Sequence, residues 1–439
     1  MERDEIDRIL NRMIPESMMR HGRATIDASL APLRDLLNRR QIPIISWQDS
    51  QIEFLLAVLS AMDSDKDPKA ARVGEREARI ATPLLNRLTG GFNHGVGRSG
   101  QLSAPQPKAT GASIMQEIVD SVALDAIRKL GLPNVRDGIV VPLPTGMSIG
   151  LILGGMRREL GIQTVLYPRI DHRSPSRGIS LAGLREVSVR TVLDGDAVRM
   201  DMEDLSDKMA DCKNCVLLGT TTFFPPREAD PVKEMARMAS DHDIPFIINN
   251  AYGVQSAEVM ALVRSAIDAG RVDAIVQSSD KNFLTPVGGA VIVSPNEEVI
   301  KQTSETYAGR ASASPVVQLL VALLALGIER YEALRSQQLD NRKVLESRLR
   351  EIAEEVGQRV LEVRNPVSVA MTLENLDATE VGSRLYNNRV TGPRSVEKGG
   401  FGSCIDGYPH SYIVMNAAIG SSRSDIDKAT TKLYKEVRV

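Results

Sequence analysis

Apolar and polar positions divide the 439-residue chain into stretches of different period. Ile6, Ile9, Leu10 and Met13 recur at helical spacing, and Leu30, Leu33, Leu36 and Leu37 do so again. Both sets predict helices with one apolar face. Residues 1–70 are therefore expected to form a helical extension that packs on a partner surface, such as another subunit. From about Ile114 to Pro295 the period changes. The short apolar runs GIVVPL, TVLYP, CVLLGTTT, IPFIIN, DAIVQS and GAVIVS alternate with helical stretches such as READPVKEMARMASDHD. Continuous apolar runs between helices predict an α/β fold with a mostly parallel sheet covered on both faces. Residues 71–325 are assigned to this layer. A helical span from Val316 to about Val356 follows, with Leu345, Leu349, Ile352 and Val356 on one stripe. Beyond it PVSVAMTL and YIVMNAAIG read as short strands, so 326–439 is expected to be a linker helix and a small α+β C-terminal domain.

Charge changes the picture by exclusion. There are 54 Lys+Arg against 56 Asp+Glu, a net charge of −2, which argues against a polyelectrolyte and against binding nucleic acid by bulk charge. A local basic patch stays open. The start MERDEIDRIL is charged and amphipathic, unlike a secretory leader, and the apolar stretch Val316 to Ile328 is too short for a bilayer. Three cysteines make no disulfide framework, so a reducing cytoplasm is expected and no membrane partner. Cys212-Lys-Asn-Cys215 is a single CxxC with no second pair or nearby histidine and reads as ordinary cysteines at a helix end, so no metal is expected.

Ligands of an open α/β sheet sit beyond the carboxyl ends of its strands, which makes the residues after each apolar run the candidates. After GIVVPL, Pro144-Thr145-Gly146-Met147-Ser148 opens the helical stretch SIGLILGGMRREL. A small residue and free N–H groups at a helix start suit a phosphate, and an ordinary strand-to-helix turn reads the same way. After IPFII come Asn249 and Asn250, and after DAIVQS comes Lys281. A lysine between buried strands suits Schiff-base chemistry, with a solvated surface lysine as the plain alternative. The Gly-rich loop around Gly95 to Gly100 holds Arg98 and Ser99, with Arg76 and Arg79 upstream and Gln106 and Lys108 downstream. Planar guanidinium forks suit a phosphate dianion, and Ser and Gln add directional hydrogen bonds. The loop lacks nucleotide-binding spacing, and Glu75 and Glu77 make a simple ion pair with Arg76 equally credible.

Taken together, a helix-start phosphate site, a polar residue ending a later strand and a lysine after the next one match the order in aspartate-aminotransferase-like (fold type I) pyridoxal-phosphate enzymes. Such enzymes usually set Asp against the pyridinium nitrogen. Here that position holds Asn249, which stabilises a protonated ring less and favours chemistry with a good β-leaving group such as phosphate.

VGEREAR, GVGRSG followed by QPKATGAS, TGMS, TFFPPR, NNAYGVQS, QSSDKNFLTPVGGA, YAGRASASP and NAAIG closely resemble the O-phosphoseryl-tRNA(Sec):L-selenocysteinyl-tRNA synthase family over about residues 50 to 420. The resemblance implies a pyridoxal-phosphate enzyme that turns phosphoserine on selenocysteine tRNA into selenocysteine, with selenophosphate as donor. It implies that Lys281 carries the Schiff base, that Arg76, Arg98, Ser99 and Gln106 grip the substrate phosphate, and that Arg310 contacts substrate as well. Arg76, Gly146, Met147, His172 and Asn249 match cofactor-contacting positions. The resemblance also implies a homotetramer built as a dimer of dimers, in which the Arg98 loop serves the neighbour's Lys281. Arg389 and Arg394 in NNRVTGPR are candidates for the tRNA acceptor end. Two departures favour the archaeal form: the sequence ends at Val439 without the basic tail of eukaryotic members, and Asp268 stands where they carry an arginine assigned to tRNA contact. The sulfur-transferring counterpart, a cysteine desulfurase and a non-catalytic tRNA-binding scaffold remain as alternatives on the same fold.

Overall fold

The computed structural model describes residues 12–438, so the expected helix face of Ile6, Ile9 and Leu10 lies outside the described residues. Its centre is a seven-stranded sheet in the order β1-β9-β8-β7-β6-β2-β3. The strands are β1 (Asp137–Val141), β2 (Thr164–Pro168), β3 (Arg185–Val189), β6 (Cys215–Thr220), β7 (Phe246–Asn249), β8 (Ala274–Ser278) and β9 (Ala290–Ser294). Pairs β2–β3, β2–β6, β6–β7 and β7–β8 are parallel, and β9 runs antiparallel to both neighbours. Strands β2, β6, β7, β8 and β9 are buried at every position, as continuous apolar runs require when helices cover both faces. A hairpin of β4 (Thr191–Asp194) and β5 (Ala197–Met200) stands beside the sheet.

The helical span foreseen from Val316 is Ser314–Glu355, but it is not continuous. Gly327 adopts φ 59° and ψ 176° and breaks it. The reason lies in the N-terminal segment, because the N–H groups of Ile328 and Glu329 bond the carbonyls of Pro43 and Ile44 at 3.0 and 3.1 Å. A Cβ on Gly327 would meet the Ile44 carbonyl oxygen at 3.0 Å, so only a glycine accommodates this crossing. Periodicity along one segment carries no sign of a distant strap of backbone.

The N-terminal helix Glu16–Arg39 buries Leu33 and Leu36 on its own chain, while Ile26 and Leu37 stay 60% and 46% exposed. Past Gly327, Leu345, Leu349 and Ile352 form a second core with β10 (Ser368–Thr372) and β12 (Tyr412–Asn416), while β11 (Arg394–Val396) pairs on β12 in the order β10-β12-β11. Among the described residues no helix is long and apolar enough to cross a membrane.

Candidate active site

Two clusters stand at the carboxyl end of the sheet and beside it. The first is centred on Lys281, in the short helix Ser279–Phe283 that follows β8. Its Nζ lies 3.3 Å from the Ser278 hydroxyl, 3.2 Å from Asp280 Oδ2 and 5.5 Å from the centre of the Tyr252 ring. The side chain is partly buried, neither inert in the core nor free in solvent. Tyr252 meets Phe224 edge-on at 6.2 Å, and Arg394 lies over Phe224 and Phe223 at 5.3 and 5.8 Å. His172 completes the row, 6.2 Å from Phe223. Packing around its imidazole, with the positive charges of Arg394 and Lys281, lowers the His172 pKa and favours the neutral ring. Burial raises the Tyr252 pKa, as does the carboxylate of Asp280.

Among the described residues, several buried polar atoms near these strand ends have no partner, and two of them stand at the ends of elements that face the lysine. These two are the Asn249 Oδ1 at the end of β7 and the Thr145 Oγ1 at the start of helix Thr145–Leu160. Buried polar atoms are nearly always satisfied, so each asks for a ligand group. An N–H would satisfy the amide oxygen, and an anion accepting from the helix start would satisfy the hydroxyl. A protonated pyridine bearing a phosphate arm and an aldehyde offers both, with Lys281 as amine, so these residues fit pyridoxal phosphate. Gly146, at the same helix start, also serves packing. A Cβ there would come within 2.1 Å of the Ser174 hydroxyl, so its smallness lets the helix Arg173–Leu181 pack close. Met147 is exposed beside it.

The second cluster lines a cavity of about 660 Å³ that includes Arg76, Lys108, Arg310, Asn93 and His94. Arg76 donates to the Asn93 carbonyl at 3.0 Å and Arg310 to the His94 carbonyl. Among the described ion pairs Glu77 binds Lys108 and not Arg76, which removes the simple ion-pair account of Arg76. That bond from Lys108 holds the Glu77 carboxyl below its ordinary pKa. Arg98 and Ser99 do not line this cavity. They stand exposed on a tight turn closed by mutual backbone bonds between Arg98 and Gln101 of 2.9 and 3.0 Å. Gln106 lines a neighbouring hollow with Gly97 and Arg40. The chain therefore brings Arg76 and Arg310 together but leaves Arg98, Ser99 and Gln106 facing elsewhere. Arg389 is exposed with φ 62°, whereas Arg394 belongs to the aromatic row.

A sequence model described as O-phosphoseryl-tRNA(Sec) selenium transferase, SepSecS, matches residues 62–438. The chain belongs to this family. A selenium transferase of this name from Methanococcus maripaludis is 43% identical over 98% of this chain and 99% of its own. The crystal structure of an archaeal SepSecS superposes with a TM-score of 0.93 at 42% identity, covering 96% of this chain and 98% of that one. A serine palmitoyltransferase from S. paucimobilis with bound PLP–myriocin shares the fold alone, with a TM-score of 0.57 at 13% identity over 82% of this chain and 84% of that one. The architecture is thus the fold type I pyridoxal-phosphate transferase fold that the sheet pattern foretold.

Two of the three thiols, Cys215 and Cys404, do not suit the nucleophile of a cysteine desulfurase. Burial pushes Cys404 and Cys215 up to about 12, so neither is a ready thiolate at neutral pH. Sequence reasoning overlooked Tyr252, Phe223, Phe224 and Asp280. Tyr252 stands in the same strand-end run as Asn249, and with aromatics at 4% of the chain its position was a usable signal.

Proposed function

We propose that this chain converts O-phosphoseryl-tRNA(Sec) to selenocysteinyl-tRNA(Sec) in selenocysteine biosynthesis, with pyridoxal 5′-phosphate as cofactor and selenophosphate as selenium donor. The observation that carries the reading is the pairing of a lysine-centred site, with its unpartnered Asn249 and Thr145 atoms, and a separate cavity with two arginines and a lysine. Lys281, Asn249, Gly146, Met147 and His172 would hold the cofactor, whose bound ring serves as the sink for negative charge formed at Cα. The Lys281 amine is the base that takes the Cα proton. Asn249 offers the ring nitrogen an amide instead of a carboxylate, so the reaction relies more on the quality of the leaving group. Phosphate leaves from Cβ with the C–O electron pair, and guanidinium groups hold the charge that grows on it. Selenophosphate adds through its selenium to Cβ of the resulting dehydroalanyl ester, a proton returns to Cα, and water cleaves the P–Se bond to release phosphate. Unphosphorylated serine would leave the arginines unpaired, which supports discrimination against it.

Arg98, Ser99 and Gln106 are assigned to the phosphate grip of the neighbouring subunit in a dimer of dimers. Their position away from the Arg76 cavity supports this. Mixed Arg98→Ala and Lys281→Ala chains are then expected to regain activity that neither has alone, through one intact site per heterodimer; absence of complementation would refute the shared site. Arg394 and Arg389 are assigned to the tRNA acceptor end. The stacking of Arg394 on Phe224, one ring from Tyr252, supports it for Arg394.

The decisive test incubates the purified protein with phosphoseryl-tRNA(Sec) and either selenophosphate or thiophosphate, then identifies the aminoacyl group by mass. Selenocysteine from the first is expected. Cysteine as the preferred product would move the chain to the sulfur branch, and no product together with no visible cofactor band would favour a scaffold.

A further inference from the structure

We infer that Asp65 is a positioning residue that aims both arginines of the anion cavity through the backbone from Asn93 to Gly95. The inference rests on reading that cavity as the phosphate pocket. Arg76 and Arg310 are held by adjacent main-chain carbonyls, those of Asn93 and His94. These carbonyls belong to two successive peptides, Asn93–His94 and His94–Gly95, so whatever fixes the Asn93–Gly95 backbone fixes the aim of two guanidiniums at once.

The fixing groups lie behind the cavity wall. The Asn93 amide is fully engaged: Nδ2 donates to Asp65 Oδ2 at 3.0 Å and to Asn86 Oδ1 at 2.8 Å, and Oδ1 accepts from the Thr89 hydroxyl at 3.0 Å. Asp65 Oδ2 also takes Lys66 Nζ at 2.7 Å, and the same ammonium reaches the Gly91 carbonyl at 2.7 Å. Asp65 Oδ1 is 3.8 Å from His94 Nε2, which lies 3.3 Å from the Ser64 hydroxyl. The side chains of Asp65 and His94 are 4% and 2% exposed. Burial on its own would raise the Asp65 pKa, but the bonds from Lys66 and Asn93 outweigh it and the carboxyl sits below its ordinary value. The group is a buried anion that bonds Lys66 and Asn93 and faces His94 without lining the cavity.

A guanidinium binds phosphate through two parallel N–H bonds, which tolerate little misorientation. With one N–H of each arginine spent on a carbonyl, the remaining donors point where the Asn93–Gly95 backbone sends them. Gly95 supports the same wall. It has φ +76°, and a Cβ there would meet the Ala311 carbonyl oxygen at 2.3 Å, so the loop lies directly against the segment that carries Arg310. Loss of the Asp65 charge would release Asn93 and let both arginines drift together.

The test measures inorganic phosphate as a competitive inhibitor against phosphoseryl-tRNA(Sec), using the holoenzyme and the variants Asp65→Asn, Asn93→Ser and Arg310→Ala. Asp65→Asn is expected to raise the phosphate Ki by about tenfold, with the visible cofactor band unchanged, and Asn93→Ser to reproduce the weakening. If Asp65→Asn does not fold, Asn93→Ser decides by the same readout. A lower melting temperature with an unaltered phosphate Ki would mean a merely structural role and overturn the inference. Should Arg310→Ala weaken phosphate while neither Asp65→Asn nor Asn93→Ser does, the positioning role falls and the phosphate pocket stands. An unaltered Ki in Arg310→Ala would remove the pocket reading, and this inference with it.

Discussion

Replacing Lys281 with alanine is expected to abolish turnover, by at least about a thousandfold in kcat, and to remove the visible absorbance of a lysine–cofactor imine. The two losses have one origin. Lys281 Nζ is held between the Ser278 hydroxyl, Asp280 and the face of Tyr252, a setting that fixes the amine without burying it. On the proposed reading the same nitrogen would anchor the cofactor and, once released, serve as the base. Lys281→Arg would keep the charge but form no imine, so it should lose the band as fully as alanine does. Retained turnover in either variant, or an unchanged spectrum, would sink the assignment of Lys281. Tyr252→Phe provides a contrast, since it preserves the ring beneath the amine; its spectrum should survive where that of Lys281→Ala does not.

The sheet was legible because its strands are buried on both faces. GIVVPL, TVLYP, CVLLGTTT, IPFIIN, DAIVQS and GAVIVS correspond to β1, β2, β6, β7, β8 and β9. Burial on two sides forces continuous apolar runs, and such runs need no knowledge of the neighbouring strand. The break at Gly327 was not legible, because its cause is a set of carbonyls nearly three hundred residues earlier in the chain. Site chemistry divides along similar lines. Lys281 and Asn249 were singled out as candidates because ligands of such sheets sit at strand ends, and the fold sets them at the ends of β8 and β7. The aromatic row from Tyr252 to His172 was missed because its members come from four separate segments that only folding brings together. Arg98 and Arg76 are close in sequence and read as one grip, yet the chain turns Arg98 outward on its tight turn while Arg76 faces the cavity. Proximity in sequence could not distinguish a residue that serves its own chain from one assigned here to a neighbour.

Arg310→Ala is expected to lower kcat/KM for phosphoseryl-tRNA(Sec) by about a hundredfold, and to narrow the preference over seryl-tRNA(Sec) by a similar factor. The size follows from the bond it removes. A charge-assisted hydrogen bond to phosphate contributes about 1.5–3 kcal/mol, and its full value appears in the rate when the charge on phosphate grows as the C–O bond breaks. Because seryl-tRNA carries no such leaving group, its already low rate should hardly change, and the selectivity falls chiefly from one side. Arg310→Lys separates charge from shape. It keeps the positive charge beside the cavity but loses the planar fork that donates to the His94 carbonyl and faces the phosphate. An intermediate rate is therefore expected, with KM recovered more than kcat, since long-range attraction brings the anion in while alignment sets the chemistry. Steady-state kinetics of the three proteins on both charged tRNAs would measure this. Equal losses on phosphoseryl and seryl substrates would mean that Arg310 supports the loop against which Val96 and Ala311 pair and has no part in gripping the phosphate.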